Sequence, residues 1–278
     1  TGDAHAGPWH RQVSMLAQER MRVFEKETGR RTRPGEFAEN ITTRGIDLAG
    51  TLRLDRFRIG AAELEVTQIG KQCHGDACAI FRETGACIMP KTGIFCRVVQ
   101  GGIIRPGDAI VHTPKHLRVM ILTVSDRASR GGYEDRSGPA LKDAVLAARA
   151  LPWPVVWETR IVPDSVRQIR QQAAAWCAAG ADIIFTTGGT GIGPRDYTPE
   201  ALAPLFERAL PGIMEHIRLK FGRVNPHALL SRSAAGVRGT TLIFALPGSV
   251  KGVQEYVCEI MQVVTHALLM VHAIDAHA

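Results

Sequence analysis

A two-domain protein, part mostly-β and part α/β, is predicted by three observations. The chain has 278 residues, more than the ~100–200 typical of one domain. Its hydrophobic periodicity changes character near 112–117 (His-Thr-Pro-Lys-His-Leu), a short polar joint. With 45% hydrophobic and 22% charged residues, both parts have the composition of folded cores rather than of disorder. The expected domains are therefore 1–113 and 117–278.

In the first part, residues 13–28 read as a helix, with Val13, Leu16, Ala17, Arg20 and Phe24 on one stripe. The rest alternates and is punctuated by glycine. Leu64, Val66 and Ile69 follow Gly60 as a strand, and Ile94–Val99 forms another before Gly101-Gly102. Ile103-Ile104-Arg105 reads as a strand into the turn Pro106-Gly107-Asp108, with Ala109-Ile110-Val111 resuming. A small β-barrel is the expected architecture.

The second part alternates strands with helices. Arg118–Val124 is an apolar run suited to a buried parallel strand, Val155–Val162 is strand-like, and Asp182–Thr187 and Thr241–Leu246 are further strands. Between them, Pro139–Leu151 and Ser165–Ala179 are helical, the second with Gly180 as its C′ residue. A further helix begins near Pro199, and one long amphipathic helix follows Ser249 through Val250, Val253, Val257, Ile260, Met261, Val264 and Leu268. Repeated βα units imply a doubly wound parallel sheet with helices on both faces.

Charge and cysteine content exclude several classes. There are 34 Lys+Arg against 27 Asp+Glu, a net +7, divided +4 over 1–116 and +3 over 117–278. An excess this even is a poor footprint for nucleic acid but suits small anionic ligands. Six cysteines form no disulfide framework, and no secretory signal or long apolar span is present. A soluble, cytoplasmic protein with no membrane and no nucleic-acid partner is expected. Thr1 is not a methionine and Gly2-Asp3 reads like the middle of a motif, so a few upstream residues are expected to be missing.

In parallel sheets, ligands bind outside the carboxyl ends of the strands. Here those ends carry Ser125-Asp126-Arg127, Pro163-Asp164-Ser165 and a loop from Thr186 to Asp196 containing Thr187, Gly188, Gly189, Thr190, Gly191 and Gly193. Closely spaced glycines let backbone N–H groups approach phosphate oxygens, and the following helix adds its positive end. Neighbouring carboxylates offer the hard oxygen ligands Mg²⁺ takes alongside substrate phosphates. The loop matches neither a P-loop nor Gly-x-Gly-x-x-Gly. Taken singly, Asp164 reads as a helix N-cap, Asp126 as a turn residue and the loop as a tight turn. Their convergence on one sheet edge favours a site.

These residues, with Asp135-x-x-Gly138-Pro139, Thr198-Pro199-Glu200 and Leu246-Pro247-Gly248-Ser249, resemble the molybdopterin adenylyltransferase family of the MogA/MoaB type over about 118–278. The resemblance implies Asp164 and Asp196 as essential carboxylates and Mg²⁺ ligands. It implies substrate contacts at Ser125, Asp126, Thr187, Gly188, Gly189, Thr190, Gly191, Pro247, Gly248 and Ser249, with ATP and molybdopterin as substrates. A homotrimer is implied, as is a molybdenum-insertion protein or molybdoenzyme downstream. The family also includes binding-only members, so a non-catalytic carrier is the alternative.

Four cysteines, Cys73, Cys78, Cys87 and Cys96, lie in the first part. Their C-x4-C-x8-C-x8-C spacing is compatible with a zinc or iron–sulfur interaction module, while inert buried thiols are the plainest alternative for Cys87, Cys96, Cys177 and Cys258. Cys73 stands apart, with Lys71 and His74 able to favour a thiolate. Gly2–Gly7, His10–Ser14, Pro34–Ile41 and Gly70–Cys78 resemble a MOSC domain over about 1–113. That resemblance implies a bound molybdenum cofactor or a sulfur-carrying cysteine, Cys73 or Cys78, in a pocket lined by His74, His5, His10, Arg11 and Asn40.

Overall fold

The computed structural model describes residues 10–71 and 79–274. The chain divides into two compact units, one carrying residues up to Lys115 and the other running His116–Ala273.

In the first unit, β1 (Val13–Ala17) runs directly into α1 (Gln18–Thr28), which corrects the single helix expected over 13–28. The physical reason is two-sided burial. Met15 and Ala17 pack into one core with Leu64, Val66, Ile94 and Cys96, whereas Leu16 packs into another with Met21, Phe24 and Phe95. An apolar run covered on both faces shows no period that separates strand from helix. The α1 helix ends at Gly29, whose φ of 73° lets its N–H reach back to the Glu25 carbonyl.

After β2 (Ile41–Thr43), the hairpin β3 (Arg56–Ile59) and β4 (Ala62–Ile69) leads to two short helices, α2 (Ala79–Thr84) and α3 (Met89–Thr92). Then come β5 (Ile94–Gln100) and β6 (Ile110–Thr113). The strands form one six-stranded sheet in the order β2-β1-β5-β4-β3-β6, antiparallel except for β1 beside β2. Residues 103–105 are not the strand expected from their sequence. Gly102 crosses the β3–β4 turn so closely that a Cβ there would lie 2.6 Å from the Ala62 nitrogen. The chain re-enters the sheet only at Ile110. There the buried Asp55 accepts from the Lys115 N–H at 2.8 Å and pairs with His112, which stacks on Phe57.

The second unit opens with β7 (Leu117–Val124), the single turn α4 (Asp126–Ser129) and α5 (Ser137–Ala148). It continues through β8 (Val155–Val162), α6 (Val166–Ala178), β9 (Ile183–Thr187) and α7 (Thr198–Leu202). Next come β10 (Arg208–Ala209), α8 (Pro211–Gly222), β11 (Ala234–Arg238), β12 (Thr241–Leu246), α9 (Val250–Ile260) and α10 (Val264–Val271). The sheet order is β10-β11-β12-β9-β7-β8. The four strands expected from sequence are its parallel part, and β10 and β11 extend it antiparallel.

Helices cover both faces. On one, Met120, Leu122, Ile184 and Ile243 meet Ile169, Ala173 and Trp176 of α6 and Leu202 of α7. On the other, α5 packs against β7 and α9, while α9 and α10 pack against β12. The long helix expected after Ser249 is broken at Met261–Val263, where bonds tighten to Gln262→Glu259 and Val263→Ile260. Three β-branched residues in succession, Val263-Val264-Thr265, are poor company for a continuous helix. Among the described residues no helix is long and apolar enough to cross a membrane.

Candidate functional site

The registers bring four strand ends together. Val124 pairs with Val162, Thr123 with Thr187, and Thr187 with Leu246. The segments after β7, β8, β9 and β12 therefore leave the sheet at one edge.

After β7, Ser125 caps α4 by accepting the Ala128 N–H at 3.2 Å, and its own N–H donates to Val162. After β8, the N-cap of α6 is Ser165, which accepts from Gln168, and not Asp164. This corrects the capping role expected of Asp164, whose carboxylate turns sideways instead. Its Oδ2 accepts the Asp126 N–H at 2.8 Å, while Asp126 Oδ1 accepts the Asp164 N–H at 3.0 Å. The other Asp126 oxygen pairs with Arg195. Burial first, and then the negative charge of Asp196, push the Asp164 carboxyl above its ordinary range.

After β9, Gly188 adopts φ 106° and lies so near Val124 that a Cβ would fall 2.3 Å from its carbonyl oxygen. Only glycine fits there. Gly189, at φ 63°, is similarly crowded by the Thr198 hydroxyl. The helix that follows the loop is the five-residue α7. Its first residue is spent on the loop itself, Thr198 donating from Oγ1 to Gly188 at 2.7 Å and from N–H to Gly189 at 3.0 Å. Asp196 folds back on the loop, with Oδ2 accepting the Gly193 N–H at 2.8 Å. The N–H groups of Gly189, Thr190, Gly191 and Ile192 carry no hydrogen bond among the described residues. The Thr187 hydroxyl donates to Pro247, which ties β9 to β12, and Ser249 caps α9.

The predicted site residues line two adjoining clefts. The first, of about 700 Å³, holds Ser125, Asp126, Asp164, Thr187 and Gly188. The second, of about 590 Å³, holds Gly189, Thr190, Gly191, Asp196 and Pro247. Gly248 and Ser249 line both. Cationic and aromatic residues complete them. Arg127 sits over the Tyr133 ring, with Arg136 and Arg195 in the same cleft, and Lys251 and Tyr256 belong to the other. Asp135 accepts the hydroxyl of Thr123 and the N–H groups of Ser137 and Gly138, which fixes the start of α5.

Asp164 and Asp196 each retain a carboxylate oxygen without a partner among the described residues. Two carboxylates that repel one another while keeping free oxygens suit Mg²⁺, which takes one or two carboxylates and completes its shell with substrate phosphates and water. No group of three or more His, Cys, Asp and Glu residues that could hold a metal occurs among the described residues.

In the first unit, His5, Cys73, His74 and Cys78 lie outside the described residues. His10 is buried, and its carbonyl accepts from Thr67. The Arg11 Nε is buried without a partner among the described residues. Asn40 Oδ1 accepts both the N–H and the hydroxyl of Ser14, pinning β1. A cleft of about 420 Å³ near Arg20 and Lys91 is lined by none of His10, Arg11 and Asn40. Cys96 is a core residue against Met15, its thiol pushed far up by burial. Cys87 and Cys177 are half-buried and Cys258 is exposed, which corrects the expectation that all four are buried thiols. Around Cys258, the core-facing positions of α9 belong to Tyr256, Val257, Glu259 and Ile260 instead.

A family model described as a probable molybdopterin binding domain matches residues 120–266, and a MOSC domain model matches residues 2–111. Gephyrin of Dictyostelium discoideum is 38% identical over 162 residues, 56% of this chain, and the chain spans only 22% of that protein's length. A molybdopterin adenylyltransferase of Helicobacter pylori is 39% identical over 140 residues, covering 50% of this chain and 78% of that protein. Among solved structures, the molybdopterin biosynthesis enzyme MoaB of a Thermus species superposes with a TM-score of 0.52 at 42% identity. That match covers 56% of this chain and 97% of the other. This chain belongs to the molybdopterin-binding domain family and joins that domain to a MOSC domain.

Proposed function

We propose that the C-terminal part, 117–278, acts in molybdenum cofactor biosynthesis by transferring AMP from ATP to the terminal phosphate of molybdopterin. A molybdopterin phosphate oxygen attacks the α-phosphorus of ATP, the bond to the bridging α–β oxygen breaks, and pyrophosphate leaves. The attacking phosphate is already anionic at neutral pH, so the site needs positioning and charge neutralisation rather than a general base.

The observation that carries this function is the pair of clefts meeting at Gly248 and Ser249, one with Asp164 and one with Asp196. Two phosphorylated substrates in adjoining clefts would meet between those carboxylates. The unpaired N–H groups of the glycine loop would bind phosphate oxygens on one side, and Arg195 and Arg127 would do so on the other. Mg²⁺ held by Asp164 and Asp196 would offset the repulsion between the two polyanions. The relative named a molybdopterin adenylyltransferase supports the same reaction.

The N-terminal part, 1–113, we take to be a MOSC barrel that binds molybdenum cofactor or carries sulfur on Cys73 or Cys78. Assembly as a homotrimer and hand-over to a molybdenum-insertion protein or molybdoenzyme belong to the same proposal. The test is pyrophosphate release from ATP and molybdopterin with Mg²⁺. Tight molybdopterin binding without pyrophosphate release would identify a carrier instead.

A further inference from the structure

One side chain outside the glycine loop grips it along its length. Arg232, just before β11, donates from Nε to the Gly191 carbonyl at 2.7 Å. One terminal nitrogen donates to the Asp196 carbonyl and the other to the Glu200 carboxylate. The Arg232 N–H donates to the Thr190 carbonyl at 2.8 Å. These bonds hold the segment from Thr190 to Glu200 at its start, its middle and its end.

Both ends of the grip are themselves fixed. Arg218 donates to the Ser233 carbonyl at 3.0 Å and to that of Ser231 at 3.5 Å. Arg170 donates to the carbonyls of Glu200 and Ala201, each at 3.1 Å. Burial pushes the Glu200 carboxyl up, but the hydrogen bond and charge of Arg232 outweigh it, and the group is held below its ordinary range. Glu200 therefore stays ionised at neutral pH and keeps its hold on the guanidinium.

We propose that Arg232 is a positioning residue for AMP transfer, gripping the Gly191 and Asp196 carbonyls so that the Asp196 carboxylate and the loop N–H groups stand where the reacting phosphates need them. This rests on the reaction proposed above. The chemistry explains the residue type. A planar guanidinium serves two carbonyls and a carboxylate at once, whereas an ammonium is a point charge without that fork. Arg232 spends its donors on backbone and Glu200, so its loss falls on the placement of groups rather than on substrate affinity. Misplacement by about 1 Å can cost about 100-fold in rate.

The experiment compares the full chain with Arg232→Lys and Glu200→Gln. It measures pyrophosphate release, binding of ATP and molybdopterin, thermal unfolding and amide hydrogen exchange over 190–197. In Arg232→Lys, kcat should fall about 100-fold while both KM values stay within about threefold. Exchange at Gly193 and Asp196, whose N–H groups are bonded within the loop, should quicken, and the melting temperature should move by only a few degrees. Glu200→Gln, which weakens one contact of four, should lower kcat about fivefold. Added guanidinium ion should restore part of the turnover of Arg232→Ala, and methylammonium should not.

A lysine variant with kcat within threefold of the parent overturns the proposal, as does an equal change in kcat and KM. If Arg232→Lys does not fold, unchanged kcat in Glu200→Gln overturns it. If the unsubstituted chain releases no pyrophosphate, the proposed reaction is what fails. Exchange at Gly193 and Asp196 then decides the grip, and no change there in Arg232→Lys sinks it.

Discussion

Asp126 and Asp164 exchange hydrogen bonds reciprocally, each carboxylate accepting the other's backbone N–H, at 2.8 and 3.0 Å. They follow the paired ends of β7 and β8, where Val124 lies beside Val162. The exchange extends the parallel pairing past the last rung of the sheet and fixes both carboxylates relative to the backbone. Asp126 is also neutralised by Arg195, which leaves Asp164 as the member of the pair with an oxygen to spare.

Asp126→Ala removes the acceptor for the Asp164 N–H and leaves Arg195 without its partner. A loss of about 1–2 kcal/mol is expected, because a half-buried donor is left unsatisfied. Asp126→Asn keeps an acceptor oxygen and should cost less than half as much. Urea denaturation of both variants checks this, and equal losses would show that the reciprocal bonds do not hold the strand ends.

Asp196→Asn separates charge from shape. The amide oxygen can still accept the Gly193 N–H, so the loop keeps its course, but the negative charge facing Asp164 is gone. Turnover should fall by about 100-fold or more, while molybdopterin affinity stays within about threefold. Initial rates beside equilibrium titration make the comparison. Equal loss of both would argue against a charge-neutralising role for this carboxylate.

The strand ends are legible in sequence because each strand-like run stops where polar, chemistry-bearing residues begin. The four parallel strands and the residues after them follow from that alone. The β11 strand is not legible. Gly236 lies under the Phe206 ring, at a distance where a Cβ would fall 2.3 Å from the ring, and so breaks the apolar alternation that marks a strand. Arg232 escapes a sequence reading for a different reason. Its loop partners Gly191 and Asp196 are 41 and 36 residues away, and an arginine donating to carbonyl oxygens leaves no local pattern. Asp164 shows the limit of capping rules, since a serine one position later takes the cap and frees the carboxylate.

Gly188→Ala tests the strand-to-loop turn. The added methyl would fall 2.3 Å from the Val124 carbonyl oxygen at a backbone φ of 106°. Steric overlap with backbone, combined with an unfavourable conformation, should cost roughly 2–4 kcal/mol and abolish turnover. Gly212→Ala is the control. It lies in α8 with nothing within 4 Å of the added methyl, and there alanine should be neutral or stabilising by up to about 1 kcal/mol. Similar losses in both variants would refute the steric argument.

Glu259 supplies a pH-dependent part of the stability of the second unit. Its side chain is only 6% exposed and accepts from Lys220 at 2.7 Å, with His216 at 3.0 Å on the other oxygen. The Lys220 hydrogen bond is the main force holding this carboxyl below its ordinary range. Burial opposes it, and the bond to His216 adds to it. Because the folded-state value lies below the unfolded one, the unfolded chain takes up the proton first as pH falls. The stabilisation is therefore complete above the unfolded carboxylate value of about 4.3 and is lost as pH drops through the folded value. Glu259→Gln should be less stable than the parent by about 1–2 kcal/mol at pH 7, the scale of a hydrogen bond to a charged group. The gap between the two chains should narrow as pH falls below about 4.3, the unfolded carboxylate value. Urea midpoints measured as pH is lowered give the answer, since a gap that persists unchanged to about pH 3 would mean that the stabilisation does not come from the ionised carboxylate.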